Sequence, residues 1–178
     1  MRTFAKLALM VLLAANAAGC GYTLAGRGSF LPSYIKVIGI PEFANNTPFF
    51  EVEQLFSDKV RSELIGRGKY SVVPRDTGVD AVVKGTIVSL SLAPANFNQQ
   101  QQATRYVILI QTSIQFIDLK TNKVLWENQR MTFREEYDLP PETQAGDPAA
   151  FFGQSSNAMQ RVATDFARTV ISAILEAF

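Results

Sequence analysis

The chain has 178 residues, and its 17 basic and 16 acidic side chains nearly cancel. This balance gives no whole-molecule attraction to nucleic acid or to bulk anionic membrane, so binding by charge requires a local arrangement. There is no histidine and only one cysteine, which excludes Cys-His and Ser-His-Asp catalysis, an intrachain disulfide and the usual zinc, copper and haem ligand sets.

Residues 1–19 have the order typical of a secretory signal peptide. Arg2 and Lys6 precede an apolar run from Leu7 to Ala15, and small residues follow. The run is shorter than the roughly 20 residues of a membrane span, so we expect cleavage. About 159 residues then remain, 15 of them basic and 16 acidic, and we expect a tether over residues 20–33 and one domain over residues 34–178.

The segment Ala17-Ala18-Gly19-Cys20 resembles the lipobox of bacterial lipoproteins, which more often has Leu at the position of Ala17. The resemblance implies that Cys20 becomes the acylated N-terminus, a lipid attachment that anchors the protein in a membrane. Gly21, where lipoproteins of the inner membrane usually have Asp, implies the periplasmic side of the outer membrane. The alternative is an ordinary secreted protein with an incidental or buried thiol.

The sequence pattern in the first half of the domain predicts a strand, then a helix, then a second strand. Ile35 to Ile40 is rich in β-branched residues and is closed by Pro41. Thr47 and Pro48 fit an N-cap and a first helical position, and the helix should end near Gly66 or Gly68. Its apolar positions recur every fourth residue at Val52, Phe56, Val60 and Leu64. Tyr70 to Val73 should be a second strand, parallel to the first.

Three longer strands and a helix follow. We expect strands at Ala81–Leu92, Tyr106–Leu119 and Lys123–Tyr137, the last two joined in a hairpin by Lys120-Thr121-Asn122. Polar loops should cover Pro94–Thr104 and Leu139–Gly146. Asp147-Pro148 should open a final helix, whose apolar stripe is Ala158, Val162, Phe166, Val170, Ile174 and Phe178.

These elements predict an α+β fold, a two-layer sandwich in which two helices pack on one face of a mixed four- to five-stranded sheet. A membrane-surface helix is the alternative interpretation of the last stripe, but its polar face carries few basic residues, chiefly Arg161 and Arg168.

The sequence contains no strong catalytic motif. Glu135 and Glu136 are neighbours on a strand, so their side chains should point to opposite faces and share no substrate proton. No nucleophile elbow, phosphate-binding loop or dinucleotide fingerprint is present. We expect no enzyme, no cofactor, no metal site and no nucleic-acid partner, although a glycosidase built from distant carboxylates stays open.

The mature sequence resembles the LptE family, the lipopolysaccharide-assembly lipoproteins of the outer membrane. The resemblance begins with Cys20-Gly21-Tyr22-Thr23-Leu24, Gly26 and Leu31-Pro32. It continues with the strand from Ile35, Gly85-Thr86-Ile87, Ala103-Thr104-Arg105-Tyr106, Val124-Leu125-Trp126 and the closing helix.

That resemblance implies a lipid-anchored protein that plugs an LptD-type outer-membrane β-barrel, assists its assembly and helps deliver lipopolysaccharide to the outer leaflet. We expect Phe97 and Gln100, in the polar loop, to contact the barrel. The family is thought to bind lipopolysaccharide through basic residues near this loop and near the start of the last helix. Here those stretches read Asn96-Phe97-Asn98-Gln99 and Gly146-Asp147-Pro148, without a positive charge.

Strand alternation offers a substitute lipopolysaccharide site. If Val83, Ile87, Ile108, Ile110, Ile114, Phe116, Leu125, Met131 and Phe133 face the core, then four basic residues gather on the other face: Lys84, Arg105, Arg130 and Arg134. Acidic residues should lie only at the ends of that face, at Asp80 and Glu136. The opposite phase of Val88, Leu90 and Leu92 implies a bulge or a second covered patch. An ordinary solvated sheet face is the alternative.

One rival interpretation remains open, that of an outer-membrane secretion or scaffold lipoprotein of the TolB N-terminal or CsgG-like type. The segment Ile38-Gly39-Ile40-Pro41-Glu42-Phe43-Ala44-Asn45 fits those families nearly as well.

Overall fold

The computed structural model describes residues 31–99, 103–138 and 156–177. The elements in chain order are β1 (Val37–Gly39), β2 (Ala44–Asn45), α1 (Val52–Gly66), β3 (Ser71–Val73), β4 (Ala81–Phe97), β5 (Ala103–Asp118), β6 (Lys123–Asp138) and α2 (Ser156–Leu175). Cys20, the signal peptide, the tether up to Gly28-Ser29-Phe30, Gln100, the loop Leu139–Gly146 and the predicted helix start at Asp147-Pro148 lie outside the described residues.

The strands form one mixed sheet in the order β3-β1-β4-β5-β6, and the two-residue β2 pairs with β4. β1 is parallel to β3 and β4, as predicted for the first two strands, while β4, β5 and β6 are antiparallel neighbours. The predicted α+β sandwich on a mixed sheet is confirmed. β2 was not predicted, because two residues are too few to show a period.

Both helices lie on the same face of the sheet, which we call the covered face. Phe166 of α2 makes edge-to-face contacts with Phe56 of α1 and Phe133 of β6, at centroid distances of 4.9 and 6.1 Å. The predicted inward residues Val83, Ile87, Ile108, Ile110, Ile114, Phe116, Met131 and Phe133 are all buried, and Leu125 is half-buried against the core. The core was therefore predicted correctly.

A β-bulge at Val88 explains the change of phase in β4. Ile87 pairs with Thr112 and Ser89 pairs with Gln111, so Val88 is the extra residue. Beyond it Leu90 and Leu92 oppose Ile110 and Ile108 and also face the core. Of the two predicted explanations, the bulge is confirmed.

The start of α1 was predicted wrongly. The helix begins at Val52, not at Pro48, and Glu51 occupies the N-cap position with φ 65°. The side chain of Asn45 explains the difference: its Oδ1 accepts the backbone N–H and the hydroxyl of Thr47, at 2.9 and 2.7 Å. This arrangement holds residues 45–49 in a turn. The helix ends at Gly66, as predicted, and Gly68 (φ 70°) reverses the chain.

The region predicted as a polar loop, Pro94–Thr104, is mostly strand. β4 continues to Phe97 and β5 starts at Ala103, so the two strands form a long hairpin. Pro94 is tolerated because β4 pairs here with β5 alone among the described strands, and a proline on an edge strand sacrifices no ladder hydrogen bond.

Candidate interaction surface

The face of the sheet opposite the helices, here called the open face, is mainly polar. Across β4, β5 and β6 the side chains form cross-strand rows, among them Ser89-Gln111-Thr132 and Lys84-Gln115-Glu127. The uncharged polar members of this face are Thr86, Ser89, Ser91, Gln111, Ser113, Gln115 and Thr132, all exposed or half-buried. Leu109, 37% exposed, is an apolar member near the hairpin.

The end of the sheet where β4 begins, here called the base, is partly covered on the open face. The segment between β3 and β4 lies over it, because a Cβ on Gly39 would meet the carbonyl oxygen of Arg75 at 2.1 Å. From the same segment Asp76 contacts Lys84, with Oδ2 to Nζ at 3.5 Å. The accessible part of the open face therefore extends from Thr86 toward the β4–β5 hairpin.

The four basic residues expected to gather on the open face lie in two separate places. Arg105 and Arg134 lie near the hairpin, where their guanidinium groups are 3.6 and 3.9 Å from the carboxylate of Glu136. Lys84 pairs with Gln115, ten residues along β5 from Arg105, a distance of about 33 Å along the strand. The expected single cluster is therefore wrong in its geometry.

Arg130 lies between these two places, at an irregularity in β6. The pairing of β5 with β6 shifts between Thr112 and Ile114, which oppose Met131 and Asn128. Gln129 and Arg130 therefore lie opposite Ser113 alone, which gives β6 one residue more than β5 here. The backbone N–H of Arg130 donates to Asn128 Oδ1 at 3.0 Å.

The acidic residues of the open face are also distributed differently from the expectation. Glu136 lies between two arginines, and Glu127 is inside the face, where Gln115 Nε2 donates to its Oε2 at 3.2 Å. The expectation that acid is confined to the ends is therefore wrong. The predicted opposite orientation of Glu135 and Glu136 is confirmed, because they oppose Ile108 and Val107, which lie on opposite faces.

At the base, two carboxylates hold the polypeptide segments together. Asp80 Oδ2 accepts the backbone N–H groups of Val37 and Lys36 at 2.9 and 3.0 Å, and these bonds lower the pKa of Asp80 to about 2. Lys120 Nζ is 3.2 Å from Asp80 Oδ1 and 4.7 Å from the ring centre of Tyr34.

The second carboxylate, Asp118, is buried at the start of the β5–β6 turn. Tyr34 donates its hydroxyl to Asp118 Oδ2, which lowers the pKa of Asp118 and raises that of Tyr34. Asp118 also accepts from the backbone of Lys120 at 2.8 Å and from the hydroxyl of Thr121 at 2.8 Å. The acceptor positions of Asp118 are filled by groups of the same chain. This cluster, here called the structural lock, therefore stabilises the fold by joining Tyr34 to the end of β5.

Sequence reasoning missed this lock and the role of Glu136. Tyr34 and Asp118 are 84 positions apart, and no spacing signal connects them. The sequence analysis placed Glu136 at the end of the same face as Arg134, two residues away, but it did not predict the contacts of Glu136 with Arg105 and Arg134.

Phe97, predicted to contact a barrel, is on β4 at the hairpin and is 59% exposed. In the described parts of the chain, no group of three or more Asp and Glu residues is placed to hold a metal ion. Within the same parts, neither helix combines the length and the apolar character that a membrane crossing requires.

Several solved structures align with most of this chain. A hypothetical protein, CT253, from Chlamydia trachomatis aligns with 78% of this chain and 97% of its own at 12% identity, with a TM-score of 0.50. The rare lipoprotein B of Shewanella oneidensis aligns with 78% of this chain and 93% of its own at 13% identity, with a TM-score of 0.48. A minor lipoprotein of Acinetobacter baumannii aligns with 82% and 94% at 15% identity, with a TM-score of 0.47. At such identities the likeness concerns the fold alone.

No curated protein matches the sequence. The model of one protein family does, the family described as LptE, lipopolysaccharide-assembly, and the match covers residues 35–174. It spans every strand and nearly all of both helices, and it decides between the LptE resemblance and the TolB-type or CsgG-like alternative. The chain belongs to the LptE family of lipopolysaccharide-assembly proteins.

Proposed function

We propose that this protein is a non-enzymatic plug and assembly partner of an LptD-type outer-membrane β-barrel, anchored to the outer membrane by acyl chains on Cys20. In this role it helps the barrel deliver lipopolysaccharide to the outer leaflet. The family membership supports the pathway, and the open face of the sheet supports the mode of action.

The observation that carries the proposal is the row structure of the open face. Lumens of large outer-membrane barrels are polar and wide enough to hold a domain. Serine, threonine and glutamine side chains both donate and accept hydrogen bonds. Here they lie side by side on β4, β5 and β6, from Thr86 on β4 to Thr132 on β6. Such a face can bond to a polar wall without requiring a particular charge on it.

The hairpin of β4 and β5 supplies the second proposed contact. β5 has 16 residues and spans about 53 Å, whereas the 20 residues of α2 span about 30 Å. Phe97 pairs with Ala103 at the far end of this long strand and is 59% exposed. We assign barrel contact to Phe97 and to the neighbouring Gln100.

For lipopolysaccharide we propose the hairpin end of the open face. Arg134 is 63% exposed, and its contact with Glu136 is long, at 3.9 Å, so a phosphate could replace that contact with bidentate hydrogen bonds. Arg105 and Arg130 would add charge, while Lys84 lies too far away to bind the same phosphate. The ordinary alternative remains a solvated face on which Glu136 already neutralises the arginines.

The first test is co-purification of tagged full-length protein from outer membranes. One large barrel protein should accompany the wild type, and photo-cross-linkers at Phe97, Gln100 or Gln111 should join to that barrel. A cross-linker at the buried Ile110 is the control and should give no adduct. Adducts spread over unrelated periplasmic proteins would contradict the proposal.

The second test separates lipopolysaccharide binding from barrel binding. Reversal of charge at Arg130 and Arg134 together should weaken lipopolysaccharide pull-down at matched salt and leave the barrel complex assembled. Arg168→Glu is a matched single control on the helix side, because Arg168 is 62% exposed and also contacts a carboxylate. Equal loss in the control, or no loss in the double variant, would assign the arginines to the solvated face.

A further inference from the structure

The most exposed large apolar side chain among the described residues is Phe50, in the segment between β2 and α1. Phe50 is 90% exposed, whereas its neighbour Phe49 is partly buried against the core. Burial of a phenylalanine side chain is favourable, so full exposure at this position leaves a large favourable contact unmade. Of these two neighbouring aromatic rings, the ring of Phe49 is partly buried and the ring of Phe50 is exposed to solvent.

The segment that carries Phe50 is held in place by Asn45. The side-chain amide of Asn45 donates to the carbonyl oxygen of Phe49 and to Glu53 Oε2, both at 2.7 Å. Its Oδ1 accepts from Thr47, and Asn46 N donates to the carbonyl of Ile87 in β4 at 2.9 Å. These bonds attach both ends of the turn to the sheet and the helix.

The backbone next to Phe50 adopts an uncommon conformation. Glu51 has φ 65°, in the left-handed region that residues other than glycine rarely enter. Its carbonyl oxygen nevertheless accepts the first helical hydrogen bond, from Leu55 N at 3.1 Å. Strained positions of this kind persist where the surroundings determine them, and they concentrate at binding sites. The backbone on either side of Phe50 is thus held in place before any partner arrives, which lowers the entropic cost of binding.

The segment that carries Phe50 is acidic. Residues 37–58 contain Glu42, Glu51, Glu53 and Asp58 and no lysine or arginine, although Arg61, further along α1, forms an ion pair with Asp58. Glu42 and Glu51 are exposed, and no ion pair within the described residues involves either of them. An anionic lipid surface is disfavoured at such a site, and so is a second copy of the same acidic segment, because like charges would meet.

We propose that Phe50 is a preorganised aromatic anchor that inserts into an apolar pocket with a positively charged rim on a protein partner. Exposed aromatics that enter such pockets account for much of the energy of protein interfaces, and the carboxylates complement the rim. The partner is the barrel wall, so the proposal rests on the proposed function and assigns to it a second contact, at the N-terminus of α1.

The test is a competition between differently tagged full-length proteins expressed in the same cells, with the barrel recovered on each tag as the readout. Phe50→Ala should recover about tenfold less barrel than the wild type, since the loss of an interface aromatic costs at least a factor of this size. Ile65→Ala is the matched control, because Ile65 is 55% exposed at the other end of the same helix. It should compete like the wild type.

The charges are tested separately. Glu42→Lys and Glu51→Lys should each recover about three- to tenfold less barrel, and the loss should shrink at high salt. Glu176→Lys, an exposed position at the end of α2, should have no effect. Equal thermal unfolding midpoints for all variants would show that the domain itself is intact.

The outcomes separate the two proposals. If Phe50→Ala and Ile65→Ala compete alike while the wild type brings the barrel, the anchor is overturned and the proposed function stands. If the wild type brings no barrel, both are overturned. If Phe50→Ala loses binding to vesicles of phosphatidylethanolamine and phosphatidylglycerol but keeps the barrel, Phe50 inserts into lipid and the protein pocket is rejected.

Discussion

The covered and open faces of the sheet are built by the same three strands but obey different physical constraints. On β5 the residues Ile108, Ile110 and Ile114 face the helices and are fully buried, while the intervening Leu109, Gln111 and Ser113 face outward. The covered face supplies the apolar burial that stabilises the fold. The side chains of the open face consequently contribute less to stability, so their identity can be determined by binding to a partner.

The two faces should differ most in how much unfolding free energy is lost when a large apolar side chain is truncated to alanine. Phe166→Ala should lower the free energy of unfolding by about 3–5 kcal/mol, because the ring is buried between Phe56 and Phe133. Leu109→Ala on the open face should lower it by less than about 1 kcal/mol. Urea unfolding followed by circular dichroism measures both, and equal losses would show that the open face is covered by another part of the chain.

Close packing on the covered face can also be tested by adding one carbon atom. A Cβ at Gly85 would lie 2.8 Å from the ring of Phe43, so Gly85→Ala should cost about 1–3 kcal/mol of unfolding free energy. Ser91→Ala, on the exposed part of the same strand, is the control and should change stability by less than about 0.5 kcal/mol. A neutral Gly85→Ala would mean that the Phe43 ring moves aside freely.

One residue departs from the apolar character of the covered face, and its replacement should sharpen the comparison. Thr112 is fully buried, and its hydroxyl is the buried side-chain polar atom without a hydrogen-bond partner among the described residues. Thr112→Val has nearly the same shape and should raise the unfolding free energy by about 1 kcal/mol. Thermal unfolding measures the change, and a loss of stability would reveal a partner such as a buried water.

The smallest expected effect concerns the base, where polar groups stabilise the fold. The pKa of Asp80 is lowered to about 2 by the N–H groups of Val37 and Lys36. The carboxylate therefore stabilises the folded state fully above pH 3.8 and loses this contribution as the pH falls toward 2. Asp80→Asn should flatten the pH dependence of stability in that window. Parallel curves for wild type and Asp80→Asn would contradict the assignment.

The sequence predicted the parts of the fold that depend on local pattern. Alternation on β5 and β6 placed Ile110 and Phe133 in the core, and the four-residue period placed Phe56 and Phe166. The family resemblance, carried by short motifs, was confirmed by the match over residues 35–174. These signals were readable because each residue's burial follows from its neighbours on the same element.

The features that failed depend on contacts that no helix or strand period encodes. The start of α1 was displaced because Asn45 makes side-chain bonds that no helix-cap pattern contains. The sequence analysis predicted that the four basic residues gather in one cluster. The structure separates them, since Lys84 and Arg105 lie about 33 Å apart along β5. Register, not composition, decides which charges meet, and the sequence showed no register for the long hairpin.

The two irregularities described in β4 and β6 have a consequence for the shape of any socket that receives this domain. Both lie beside the same stretch of β5, near Thr112, and each adds a residue to an outer strand while the middle strand has none to spare. Bulges bend a strand and increase its local twist, so the open face changes direction between Ser113 and Leu109. A partner surface that contacts both Ser113 and Arg134 must therefore bend or twist at the same place.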